Sequence, residues 1–78
     1  MVSNNGDIPD LDLIDEKAKE AIEDHWVQIG GERLWGEIPD AEMKDLVREW
    51  REISFTSSPV LATVWVTRRY LALRGETL

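Results

Sequence analysis

Gly30 and Gly31 stand side by side between Trp26-Val27-Gln28-Ile29 and Glu32-Arg33-Leu34-Trp35, two short runs that mix apolar and polar residues. A two-residue primed turn needs positive φ, which glycine adopts without steric cost, so the pair predicts a β-hairpin and fixes its register. Ile29 then faces Glu32, Gln28 faces Arg33, Val27 faces Leu34 and Trp26 faces Trp35. One hairpin face carries Val27, Ile29 and Leu34. The other carries the opposed indoles, a pair worth about 0.5–1.5 kcal/mol beyond its area burial. An isolated two-stranded ribbon is marginal in water, so a helix or another protein must cover at least one face.

The flanking segments have the period of helices. Leu11, Ile14, Ala18, Ala21 and Ile22 fall at spacings of three and four and predict a first helix over about residues 10–24, with Asp10 or Asp12 at its cap. Met43, Leu46, Val47, Trp50 and Ile53 predict a second over about 40–53, capped by Asp40 after Pro39. Ser58 before Pro59 is an N-cap followed by proline at the first helical position, and Gly75 is placed to end the same element. The β-branched residues Val60, Thr63, Val64, Val66 and Thr67 also permit a strand over 59–74. As a helix, this segment is apolar around much of its circumference, which implies deep burial or a face left over for a partner. Residues 1–9 read as a polar leader and 10–78 as a single domain. The expected fold is α+β: helix, two-stranded hairpin, helix, helix.

Composition narrows the function classes. A 78-residue chain removes only about 60% of its unfolded surface from water, and this one has no cysteine and one histidine, so no disulfide or structural zinc site supports it. Met1 to Asp10 lacks the basic start and apolar core of a secretory signal, which points to a cytoplasm. Val60 to Val66 is far shorter than the roughly 20 residues that cross a bilayer, so no membrane association is expected. The net charge of −7 is unevenly placed. Residues 1–25 hold eight acids against Lys17 and Lys19, whereas residues 54–78 hold Arg68, Arg69 and Arg74 against Glu76. The acidic front disfavours nucleic acid and suits a basic partner surface.

Catalytic patterns are weak. His25 beside Glu23 and Asp24 could form an acid–base pair, but a cation at the end of a helix is the plainer reading. Ser54, Ser57 and Ser58 sit in a turn without a nucleophile elbow or a second histidine. Gly30-Gly31 lacks the lysine and spacing of a phosphate loop, and Asp10, Asp12, Asp15 and Glu16 lack the twelve-residue calcium pattern. The expectation is a protein that is not an enzyme, with no cofactor and no metal.

What remains is a surplus of aromatics. Trp50 and Trp65 lie on apolar helical stripes, where core is the default, and Trp26 and Trp35 share a strand face that suits either core or interface; because tryptophan is enriched at binding hot spots, Trp26, Trp35 and Trp65 are the candidates for contact. With Arg33, Arg68 and Arg69 they form the candidate partner-binding set. Helices two and three also resemble a helix-turn-helix with Arg68 and Arg69 as readers, although the start of the reading helix holds Val60, Leu61 and Ala62.

The run Val27-Gln28-Ile29-Gly30-Gly31-Glu32-Arg33-Leu34, then an amphipathic helix, then Leu61-Ala62-Thr63-Val64-Trp65-Val66-Thr67-Arg68-Arg69 and Arg74-Gly75-Glu76, resembles the small tail assembly chaperones of long-tailed bacteriophages over about residues 26–78. The resemblance implies a non-enzymatic protein that binds the tape measure protein and tail tube subunits during virion assembly and then leaves. Family members often continue beyond the point where this chain stops at Leu78, and the acidic first helix is not a family feature. The expected function is protein–protein contact in a bacterial or infected cytoplasm, with phage structural proteins or a second copy as partners. The alternatives are an acidic inhibitor that mimics nucleic acid on a host defence or transcription protein, and a helix-turn-helix DNA-binding regulator.

Overall fold

A computed structural model of the chain describes residues 11–76. The expected polar leader and Asp10 lie outside the described residues. Among the described residues the fold is all-α: α1 (Leu11–Gln28), α2 (Gly31–Trp35), α3 (Asp40–Thr56) and α4 (Pro59–Glu76), with no strand. The α+β expectation is therefore corrected, and the hairpin with its Trp26–Trp35 cross-strand pair does not form.

The reason lies in the phase of the apolar residues. Ile14, Ala18, Ile22 and Trp26 continue one i, i+4 stripe, so α1 runs past residue 24 and carries Trp26 into the core at 2% exposure. Val27, which the strand reading sets on one face with Ile29 and Leu34, is 53% exposed on the helix. Gly30 does adopt positive φ (83°), but as a left-handed terminus of α1 in place of a hairpin turn. Ile29 N–H still donates to the His25 carbonyl at 3.0 Å, Gly30 N–H donates to Val27 at 3.1 Å, and the Gly30 carbonyl accepts from Leu34 N–H in α2. The glycine thus turns the chain from one helix directly into the next.

Gly31 is needed for a different reason. A Cβ placed there would lie 2.3–2.4 Å from the Trp26 ring, so the indole packs flat against bare backbone. The same indole donates Nε1–H to the Gly36 carbonyl at 2.8 Å, which pins both ends of α2 to α1.

α3 begins one position differently from expectation. Pro39 is the flanking residue, and its carbonyl accepts from Glu42 and Met43 N–H, while Asp40 is the first helical residue and brings its charge to the positive end of the dipole. The helix extends to Thr56, and only Ser57 and Ser58 separate it from α4. Ser58 caps α4 as its place before Pro59 predicts: Leu61 N–H donates to Ser58 Oγ at 3.1 Å and Ala62 N–H to its carbonyl at 2.9 Å. The strand reading of 59–74 is resolved as helix, and α4 passes through Gly75 to Glu76.

α3 and α4 pack against each other, and α1 packs against both. The core joins Ala18, Ile22 and Trp26 of α1, Ile38, Met43, Leu46, Val47 and Trp50 of α3 and its approach, and Ala62, Val66 and Tyr70 of α4. Each fully buried large apolar side chain contributes about 1.5–3 kcal/mol relative to exposure. Polar links between side chains reinforce the helix pairs. Trp50 Nε1–H donates to Thr63 Oγ1 at 2.9 Å, and that hydroxyl donates in turn to the Pro59 carbonyl at 2.8 Å. Arg51 meets Asp15 of α1 at 3.2 Å.

Candidate interaction surface

α4 is built with two unlike sides. Ala62, Val66, Thr67 and Tyr70 are buried against α1 and α3. On the opposite side Leu61, Trp65, Arg68 and Ala72 recur at i, i+4, i+7 and i+11, which aligns them on one stripe, and all four are exposed. Leu61 and Trp65 each keep 58% of their surface in solvent. A tryptophan held on a rigid helix with its ring in water is an unusual allocation of apolar surface for an 18-residue element that also supplies core. The half-buried Val64 and Leu71 border the stripe. Val64 shares a shallow groove with Ala21, His25 and Gln28 of α1.

The residues expected to carry partner contact are dispersed. Trp26 is enclosed in the core and offers no surface. Trp35 is half-buried at the end of α2, where the Arg74 guanidinium lies 5.7 Å from its ring centroid and 5.7 Å from that of Tyr70. Tyr70 in turn packs against Trp26 with centroids 5.2 Å apart. Trp26 and Trp35, expected to oppose each other across a hairpin, are therefore joined through Tyr70 and Arg74. Arg33 is exposed on α2. Arg69 is directed back to α3, where Glu49 accepts from it at 2.9 and 3.1 Å. Arg68 makes no ion pair among the described residues and stands beside Trp65 on the outer stripe.

Leu61 and Ala72 were not singled out from the sequence, yet the structure brings them into line with Trp65 and Arg68. The signal was present as the four-three-four spacing, hidden because α4 is apolar on nearly every side. Phe55, 77% exposed, belongs elsewhere: it borders an apolar groove between α1 and α3 with Ile14, Lys17, Trp50 and Ser54.

The remaining surface is charged. A groove of about 540 Å³ between α1 and α3 has Met43 and Val47 on its floor and Asp15, Glu16, Lys19, Lys44 and Arg48 around it, so its rim presents both signs. Glu16, Glu20, Glu23 and Asp24 are exposed along α1. His25 is half-buried, with Nε2 facing no hydrogen-bond partner. Tyr70 titrates above its ordinary value of 10.0, first because burial disfavours the phenolate, then because its hydroxyl donates to Glu42 Oε1 at 3.0 Å and that carboxylate repels the anion; nearby Arg74 acts in the opposite sense. No cluster of three metal-ligating side chains occurs among the described residues, and no helix there is long and apolar enough to cross a membrane.

Comparison with protein-family models, curated proteins and solved structures finds no match.

Proposed function

We propose that this chain works by protein–protein contact, with the outer stripe of α4 as its binding surface. The observation that carries this role is the placement of Trp65, 58% exposed, in line with Leu61 and Arg68 on a helix whose other side is locked into the core. Tryptophan and arginine are the residue types most enriched at binding hot spots, and a rigid helix presents them at little entropic cost. In its finer form the proposal is an assembly factor of a long-tailed bacteriophage, acting in the cytoplasm of the infected cell. That form is supported by the order of residues in Leu61–Arg69 and Arg74-Gly75-Glu76, while the stretch Val27–Leu34 enters as helix and turn.

The test compares capture of a defined protein partner by the wild type and by Trp65→Ala. Loss of capture with helical circular dichroism and melting unchanged supports the role. Equal capture by the variant refutes it. A second reading has its own observation, the exposed acids of α1: mimicry of nucleic acid toward a basic groove predicts binding that falls steeply with salt and with charge reversal of Glu16, Glu20 and Glu23.

A further inference from the structure

We infer that the outer face of α4 is a self-association seam that receives α4 of a second copy of this chain in antiparallel orientation. This rests on the protein-contact role above and names its occupant. The four-three-four spacing of Leu61, Trp65, Arg68 and Ala72 is the d-a-d-a pattern of a coiled-coil seam, and Val64 and Leu71 fall at the flanking g positions.

The side chains select the orientation. A parallel, in-register pair sets Arg68 against the partner's Arg68, a like-charge contact in a closing interface. An antiparallel pair sets Arg68 over the ring of the partner's Trp65, and does so twice by symmetry, which replaces repulsion with a cation–π contact. The same register places Leu61 against the partner's Ala72, large against small, and Val64 beside the partner's Leu71. Arg68 is available for this contact because it makes no ion pair among the described residues, whereas Arg69 is already held by Glu49.

Charge also selects the face. The chain carries −7, and the exposed acids Glu16, Glu20, Glu23 and Asp24 lie on α1. Within α4 the charged residues are Arg68, Arg69, Arg74 and Glu76, so two copies meeting through this helix approach by their least acidic side. The seam is four residues long, with Leu61 and Trp65 each 58% exposed, a small patch beside the roughly 1,200–2,000 Å² that stable interfaces bury. The expected dimer is accordingly weak, with a Kd in the micromolar range or above.

Sedimentation of the full chain from about 1 μM to about 1 mM tests this. The expected result is a shift from monomer to dimer, moved at least about tenfold upward in concentration by Leu61→Glu or Trp65→Ala and unmoved by Arg33→Ala on α2. Leu61 and Trp65 are exposed, so neither change opens the core, and circular dichroism verifies the fold. The chain has no cysteine, so disulfide trapping has no background. Leu61→Cys mixed with Ala72→Cys is expected to form linked dimers, and Leu61→Cys alone is not. A wild type that stays monomeric throughout overturns the inference, as does a dimer indifferent to both variants, or one in which Leu61→Cys links to itself as readily as to Ala72→Cys. Should the wild type be monomeric while Trp65→Ala still abolishes capture of a different protein, self-association fails and the contact role stands.

Discussion

Replacing Gly31 by alanine is the sharpest test of how the α1–α2 corner is held. The added Cβ would sit 2.3–2.4 Å from three atoms of the Trp26 indole, far inside van der Waals contact. The ring has little room to yield, because it is 2% exposed, packs on Tyr70 and is tied through Nε1 to the Gly36 carbonyl. Overpacking of a core costs about 1–3 kcal/mol, and displacing the indole also forfeits a hydrogen bond worth about 0.5–1.5 kcal/mol. Alanine recovers up to about 1 kcal/mol of helix propensity relative to glycine. The net expectation is a loss of about 2 kcal/mol, which in a domain of this size lowers Tm by roughly 10 °C. Urea and thermal unfolding followed by circular dichroism measure it. Removing the ring should erase the effect, so Gly31→Ala introduced into a Trp26→Ala background is expected to cost nothing further. Gly30→Ala supplies the contrast: nothing lies within 4 Å of its added Cβ, but φ is +83°, so the cost is about 1–2 kcal/mol of backbone strain that the Trp26 background does not relieve. A Gly31→Ala variant as stable as the wild type, or one whose loss persists without the indole, would refute the packing account.

Thr63→Val is expected to destabilise the fold by about 1–3 kcal/mol, because it leaves the Trp50 indole N–H without its acceptor, while Thr63→Ser retains most of the stability; equal unfolding midpoints for the two would contradict this. Tyr70 is the single tyrosine, so absorbance titration of the folded protein reads it alone, and its midpoint should lie above 10.0. Since the folded state holds the phenol proton more tightly than the unfolded state, the resulting stability is present below pH 10 and is lost as pH rises through the folded value. A midpoint at or below 10.0 would count against the burial and the Glu42 contact.

The sequence made α3 and α4 readable, and for different reasons. Met43, Leu46, Val47 and Trp50 form a narrow apolar stripe with charges opposite, so period alone identifies α3. α4 has almost no apolar asymmetry, and its start is legible only through Ser58 and Pro59. The 26–35 segment failed because four residues are too few to separate a period of two from one of 3.6, and the glycine pair then tipped the balance toward a turn between strands. The demand for positive φ was met at Gly30, but the same demand arises at the end of a helix. That Gly31 answers to the Trp26 ring is tertiary information, invisible until the indole is placed. The outer stripe of α4 was legible as an unassigned apolar surplus, though which of its residues align required the helix to be known.

The two-residue joint at Ser57–Ser58 sets the order of assembly. Helices this close in sequence meet with little loop-closure entropy, and bundles dominated by such neighbours fold in microseconds to milliseconds. By that criterion α3 and α4 are the pair expected to meet first, with α1 and its Ile22 and Trp26 closing over them.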